Sequence, residues 1–191
     1  MPSAEEWLHA RGLSVSQSQA GEETVPPAAG PTADAVRFIQ RSVARTPQSS
    51  SRIKDKLLAR AVPDDVANAA IAHVTATGEI DDSKLAAALV AEWLEKGHAP
   101  RRIAHDLKKR GFTDTQIRDA LAVHQDTHDP FAAAFAVATQ RAAQLLSLPR
   151  ETALRRLTGH VARRGYSPAV AAKAARDALY AAQAEIDAAE A

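Results

Sequence analysis

From Thr32 onward, apolar residues recur every three or four positions, the spacing of one helix face. No stretch alternates β-branched or aromatic residues with polar ones as a strand would. The pattern predicts helices over 33–46, 49–60, 64–77, 83–97, 100–110, 114–126, 130–147, 149–164 and 168–188. Pro47, Pro63, Pro100, Pro130, Pro149 and Pro168 punctuate the series. Each precedes or opens an apolar run, where a missing N–H costs nothing.

The helices fall into threes. Ile53, Leu57 and Arg60-Ala61-Val62 recur as Ile103, Leu107 and Arg110-Gly111-Phe112, and again as Leu157, Val161 and Arg164-Gly165-Tyr166. Ala35, Ile39 and Val43 match Leu85, Leu89 and Trp93 upstream, and Ala70-Ile71, Ala120-Leu121 and Ala174-Ala175 match downstream. A helix-helix-helix unit used three times is the expected organisation. Gly111 and Gly165 suit the left-handed residue that closes a helix, with Phe112 or Tyr166 packing back. Thr113-Asp114 and Ser167-Pro168 then open the next helix. Ala61 replaces the glycine in the first unit, so that turn is expected to be built differently. The predicted architecture is all-α: three tandem three-helix repeats over 32–82, 83–129 and 130–191, preceded by a flexible arm, 1–31. Ser, Gly, Pro and Glu dominate Ser14 to Pro31, which cannot bury enough apolar area to offset its ordering entropy. Trp7 in the arm either folds back on the body or serves as a docking motif.

Composition changes this picture in three ways. Hydrophobic residues make up 46% of the 191, yet aromatics only 4%, so the core must be thin, alanine-lined and built from closely approaching helices. The absence of cysteine removes disulfides, thiolate nucleophiles and cysteine-based zinc sites. Phe131 to Ala138 and Leu85 to Ala91, the longest apolar runs, fall far below the roughly 18 residues of a membrane span. The acidic start, Met1-Pro2-Ser3-Ala4-Glu5-Glu6, lacks the basic region of a signal peptide, and a cytoplasmic location is expected.

The net charge of +1 excludes a uniformly basic coat but hides a repeating asymmetry. Residues 45–60, 101–110 and 149–164 hold 15 of the 24 Lys and Arg, whereas 61–82 holds none. In the middle unit Ile103, Ala104 and Leu107 share one face, and Arg101, His105, Lys108 and Lys109 project from the other. Such a ridge suits an extended anionic partner, a phosphate backbone or the surface of a filament. Basic residues at helix C-termini also complement the macrodipole, which accounts for Arg60, Arg110, Arg163 and Arg164 but not for Arg101, Arg102, Arg155 and Arg156. The candidate binding residues are Arg52, Arg101, Arg102, Lys108, Lys109, Arg155, Arg156 and Arg163.

Catalytic chemistry is not in view. The eight glycines match no phosphate-cradling loop. His124 and His128, flanked by Asp126 and Asp129, have metal-ligand spacing, but Pro130 and the want of a third ligand favour a polar loop. Asp81-Asp82 reads as a helix cap with a contact to a neighbouring turn, and Ser49-Ser50-Ser51 as a capping cluster. No enzyme, cofactor or metal site is expected.

Four motifs carry a family resemblance: Ser49-x-x-Arg52-Ile53-x-x-Lys56-Leu57; Gly78-x-Ile80-Asp81-Asp82-x-x-Leu85-Ala86; Pro100-x-Arg102-Ile103-x-x-Asp106-Leu107-x-x-Arg110-Gly111-Phe112; and Leu157-x-x-x-Val161-x-x-Arg164-Gly165-Tyr166. In this order and spacing, over about 32 to 181, they resemble the RecX family of bacterial regulators of the RecA recombinase. The family usually has Glu at the position of Arg52, Phe or Tyr at Leu85 and Glu at Asp106. The resemblance implies a curved, elongated molecule that acts without catalysis. It would bind RecA and the RecA–single-stranded DNA filament, inhibiting filament growth, ATP hydrolysis and strand exchange, with no membrane and no small-molecule substrate. Two other readings use the same residues: a module in direct contact with DNA, and a helical scaffold for a different protein partner.

Overall fold

The structure, a computed structural model, describes residues 30–125 and 128–189. Trp7 and nearly all of the expected arm lie outside the described residues. Those described form nine α-helices and no strand: α1 (Pro31–Arg45), α2 (Ser50–Leu58), α3 (Asp64–Ala76), α4 (Asp82–Glu95), α5 (Pro100–Lys109), α6 (Asp114–Ala122), α7 (Pro130–Ala142), α8 (Arg150–Arg163) and α9 (Pro168–Ala189). None is long and apolar enough to cross a membrane.

Local chemistry sets the helix starts. The Ser49 hydroxyl accepts from the Arg52 N–H at 3.3 Å and caps α2. Asp81 accepts from the Lys84 N–H at 2.9 Å at the head of α4. Thr113 and Gln116 exchange bonds of 2.9 and 3.2 Å at α6, a reciprocal capping box. Ser167 receives the Val170 N–H at 3.3 Å at α9. Asp82 reaches 32 residues back, accepting from the Ser50 N–H at 2.9 Å and from its hydroxyl, so the pair caps two helices at once. Two helices end earlier than periodicity predicts. Short-range bonds from His124 to Leu121 and from Gln125 to Ala122 draw the chain out of α6, and a 3-10 turn over Ala143–Leu145 closes α7. His124 and His128 therefore do not share a helix, as a polar loop requires.

The chain divides into two compact units: residues up to Leu89 together with Leu107–Ala120, and Val90–Asp106 together with residues from Leu121 onward. In the first unit α1 and α2 pack on α3 around Ile39, Ile53, Leu57, Ala67, Ala70 and Val74, all at most 1% exposed. In the second, α9 lies along α7 and α8 around Leu157 and Val161. There α9 contributes Ala171, Ala174, Ala175, Ala178 and Ala182, and these methyl-sized side chains let the helix axes approach closely, as the sparse aromatics imply. Full burial of a Leu or Ile is worth about 1.5–3 kcal/mol, so the repeated Ile53/Leu57, Ile103/Leu107 and Leu157/Val161 pairs, none above 1% exposed, anchor each repeat.

The Arg-Gly-aromatic turns do more than end helices. In the first unit the Arg110-Gly111 turn sits on the N-terminus of α2, where the Ser49 hydroxyl donates to the Arg110 carbonyl. In the second unit the Arg164-Gly165 turn sits on the N-terminus of α5, where the Ala99 N–H donates to the Arg164 carbonyl at 2.8 Å. Gly111 has φ +85° and Gly165 φ +98°. A Cβ on Gly111 would lie 2.8 Å from the Ser51 Cβ, and one on Gly165 only 2.5 Å from the Arg102 Cβ. Phe112 and Tyr166 are 4% and 6% exposed, packed back as expected. The first repeat corrects one expectation. Ala61 takes the left-handed conformation itself, φ +58°, and Val62 bonds back to Leu57 at 3.1 Å as Phe112 does to Leu107 at 3.3 Å. The turn is built the same way. Ala61 is exposed, so its methyl group meets no crowding, and glycine is demanded only where the turn docks.

Candidate functional site

Among the described residues, cationic side chains line a hollow in each unit. In the first, a cavity of about 850 Å³ is lined by Arg41, Arg45, Arg52, Lys56, Arg60 and Arg110, with no carboxylate in its wall. Ser42, Gln48 and Ser49 add neutral polar groups, and Phe38, Leu85, Leu89 and Phe112 an apolar floor. Several of these groups are held in place. The Arg60 guanidinium lies 4.3 Å from the centre of the Phe38 ring. Gln48 donates to Ser42 and Thr46 at 3.1–3.3 Å and accepts from Lys56. Lys54, on the same helix, is neutralised: it pairs with Asp64 at 2.9 Å, and that hydrogen bond, helped by Asn68, holds the Asp64 carboxyl below the usual carboxylate range.

In the second unit Arg141, Arg155, Arg156, His160 and Arg163 surround a smaller hollow of about 420 Å³ beside Gly159, again with no acid in its wall. Burial first, and then Arg141, Arg164 and Arg163, lower the pKa of His160 from its ordinary value. The imidazole therefore adds hydrogen-bonding capacity to the hollow at neutral pH without adding charge.

The eight sequence-predicted residues are all exposed, but they do not form one equivalent set. Arg52 belongs to the first cavity, and Arg155, Arg156 and Arg163 converge on the second hollow. Arg102 is spent on Asp106, at 2.6 Å one turn along α5. Lys108 pairs with Asp114 at 2.9 Å, a hydrogen bond that lowers the pKa of Asp114. Arg101 and Lys109 pair with nothing among the described residues and project from α5 opposite the buried Ile103 and Leu107. Helix-by-helix reading passed over Arg41 on α1 and Arg141 on α7 as candidates. Each joins its cluster from a helix not counted as basic; Arg37, Arg41 and Arg45 at four-residue spacing along α1 were a local signal for the first, whereas Arg141 is the lone cation of α7.

A family model described as "RecX, second three-helix domain" matches residues 81–121. The "Regulatory protein RecX" of Thermobifida fusca is 32% identical over 151 residues, covering 77% of this chain and 80% of its own length. That of Streptomyces lividans is 30% identical over 183 residues, covering 93% and 91%. Among solved structures, one titled "Crystal structure of RecX from Lactobacillus salivarius" superposes with a TM-score of 0.64 at 15% identity, over 78% of this chain and 96% of that one. A second, "Crystal structure of regulatory protein RecX", gives 0.62 at 19%, over 77% and 72%. Both share the all-α repeat fold.

Proposed function

This chain belongs to the RecX family of regulatory proteins, and from that premise we propose that it binds the RecA recombinase and its nucleoprotein filament in the cytoplasm. It restrains filament growth, ATP hydrolysis and strand exchange by occupying the filament, without catalysis of its own. The repeats 32–82, 83–129 and 130–191 are its modules. The observation that supports this reading most is the convergence of Arg155, Arg156, Arg163 and Arg141 on one hollow with no acid in its wall. Like charges held together destabilise a fold unless a partner neutralises them, and arginine forks suit carboxylates and phosphates alike. Arg101 and Lys109 are further candidate contacts, whereas Arg102 and Lys108 must first leave Asp106 and Asp114.

The test is a RecA–single-stranded DNA ATPase assay with the protein well below one per RecA. Wild type is expected to suppress hydrolysis. Reversal of Arg155, Arg156 and Arg163 to Glu is expected to raise the concentration needed by about tenfold or more, equivalent to about 1.4 kcal/mol. Unchanged inhibition removes the assignment. A second reading, direct DNA contact, draws on the same acid-free clusters. It predicts affinity for naked DNA that falls steeply with salt and needs no RecA.

A further inference from the structure

The first-unit cavity differs in kind from an exposed ridge. Residues from α1, the loop after it, α2, α4 and the turn after α5 converge on one hollow, all within one unit. Its volume, about 850 Å³, lies within the roughly 300–1,000 Å³ of pockets that hold a small ligand. Arg41, Arg45, Arg52, Arg60 and Lys56 face it, its lining contains no carboxylate, and apolar side chains make up its floor. The cations raise the energy of the empty fold by mutual repulsion, and an occupant carrying several negative charges in a small space removes that cost.

The ligand chemistry follows from these parts. Arginine forks bind phosphate oxygens bidentately, and several of them around one volume match several linked phosphates better than one carboxylate. The floor of Phe38, Leu85, Leu89 and Phe112 offers an apolar surface beside the cations. A nucleic-acid strand would call for exposed rings on which bases stack. Here Phe112 is only 4% exposed, and the Arg60 guanidinium covers the Phe38 ring. We infer that this cavity binds a small molecule carrying closely spaced phosphate groups, of the triphosphate class: Arg41, Arg45, Arg52 and Lys56 hold the phosphates, and the binding energy comes from them rather than from a stacked base. The ligand is bound and not turned over. The inference does not rest on the filament reading, because it needs neither RecA nor DNA.

Calorimetric titration of the full chain at physiological salt tests it with three probes: ATP, inorganic tripolyphosphate and a single-stranded oligothymidylate. ATP is expected to bind saturably and to raise Tm, tripolyphosphate to compete with it, and affinity to fall from ATP through ADP to AMP. Arg45→Gln with Arg52→Gln is expected to weaken ATP binding about tenfold or more, taking the loss of two charge-assisted contacts as at least one decade. Arg118→Gln with Arg176→Gln removes the same charge outside the cavity and is expected to leave affinity unchanged. Circular dichroism confirms that each variant is folded. If the double variant is not, Arg41→Gln, on an exposed side chain of α1, carries the same expectation. The inference is overturned by lack of saturable ATP binding, by equal weakening in both double variants, or by binding of the oligonucleotide alone.

Discussion

The two glycine turns occupy matching places in the repeat and are docked by different chemistry. At α2 the donor to the turn is a side chain, the Ser49 hydroxyl, and the atoms facing Gly111 are side-chain atoms of Ser51 and Ser49. At α5 the donor is the Ala99 backbone N–H, and Gly165 faces the Arg102 Cβ with its backbone N and Cα close behind, at 3.2 and 3.4 Å. The first joint can be retuned by changing side chains. The second has a backbone donor and, behind the Arg102 Cβ, backbone atoms that no side-chain change removes. The sharpest break in the comparison is therefore Gly165→Ala. Left-handed strain of about 1–2 kcal/mol and overpacking of about 1–3 kcal/mol combine to a loss near 3 kcal/mol. At about 2–4 °C per kcal/mol, thermal unfolding should show a drop of roughly 6–12 °C. A fall of under two degrees would mean that the joint yields.

Gly111→Ala is expected to cost less, about 2 kcal/mol, because the nearest atoms belong to a serine at the start of a helix. Removing that serine side chain sharpens the contrast. Ser51→Gly takes away the Cβ and hydroxyl that lie 2.8 and 2.9 Å from the added methyl group. In a double-mutant cycle read by chemical denaturation, it should return about 1 kcal/mol of the loss. At the second joint Arg102→Gly removes the nearest atom, the Cβ at 2.5 Å, but leaves the backbone N and Cα at 3.2 and 3.4 Å and puts a glycine inside α5, so the corresponding cycle should recover less. Equal recovery at both joints would erase the distinction.

What the sequence disclosed divides along the same line between local and distant. Helix positions, the caps at Ser49, Thr113 and Ser167, and the left-handed glycines follow from patterns a few residues wide, and they could be read. The reason for the glycines could not. Their left-handed φ is shared by Ala61, whereas the close approach that forbids a methyl group involves residues about 60 positions away. The cationic clusters behave alike. Arg141 reaches its hollow from α7, which no local pattern shows, whereas the Arg102–Asp106 pair one turn apart and the Arg37, Arg41, Arg45 series were local signals that a count of charge per helix overlooks. Asp82 was legible as part of a capping pair with a contact beyond its own helix; that its target is Ser50 was not.

Ser49→Ala tests the side-chain donor of the first joint. Ser49, 2% exposed, both caps α2 and serves the Arg110 carbonyl, so its loss uncaps one helix and strips a donor from one turn. A destabilisation of about 1–2 kcal/mol is expected from denaturant melts. No counterpart exists at the second joint, where position 99 is already alanine and the backbone does the donating.

Ala61→Gly runs the comparison backwards. The Arg60-Ala61 turn has the conformation of the docked turns but is exposed, so glycine there loses no packing and relieves the left-handed strain. Offset by glycine's greater unfolded-state entropy, the net gain is expected to be about 0.5–1 kcal/mol, a rise in Tm of roughly 1–4 °C. A loss of stability would show that the methyl group makes contacts its exposure does not suggest.

The smallest effect separates the joints by pH. His98 precedes Ala99 in the second joint; burial lowers its pKa first, then Arg164 and Arg102, with Lys96 acting in the same sense and Asp106 against them. The Arg164 guanidinium lies 3.3 Å from Nε2, and since arginine can only donate, Nε2 must accept and the proton sits on Nδ1. The folded state therefore prefers neutral His98. Below the ordinary histidine value of 6.5 the unfolded chain takes up a proton that the folded chain resists, so stability falls as pH drops through 6.5 toward the lowered folded pKa, and is unaffected above 6.5. His98→Gln, which keeps an acceptor without a titrating ring, should flatten that slope in denaturant melts between pH 7.5 and about 5.5, a window chosen to bracket the ordinary histidine range. His160 titrates in the same sense and sets the residual slope. A slope that His98→Gln leaves unchanged would place the acid sensitivity in the Arg141 hollow and free the second joint from it.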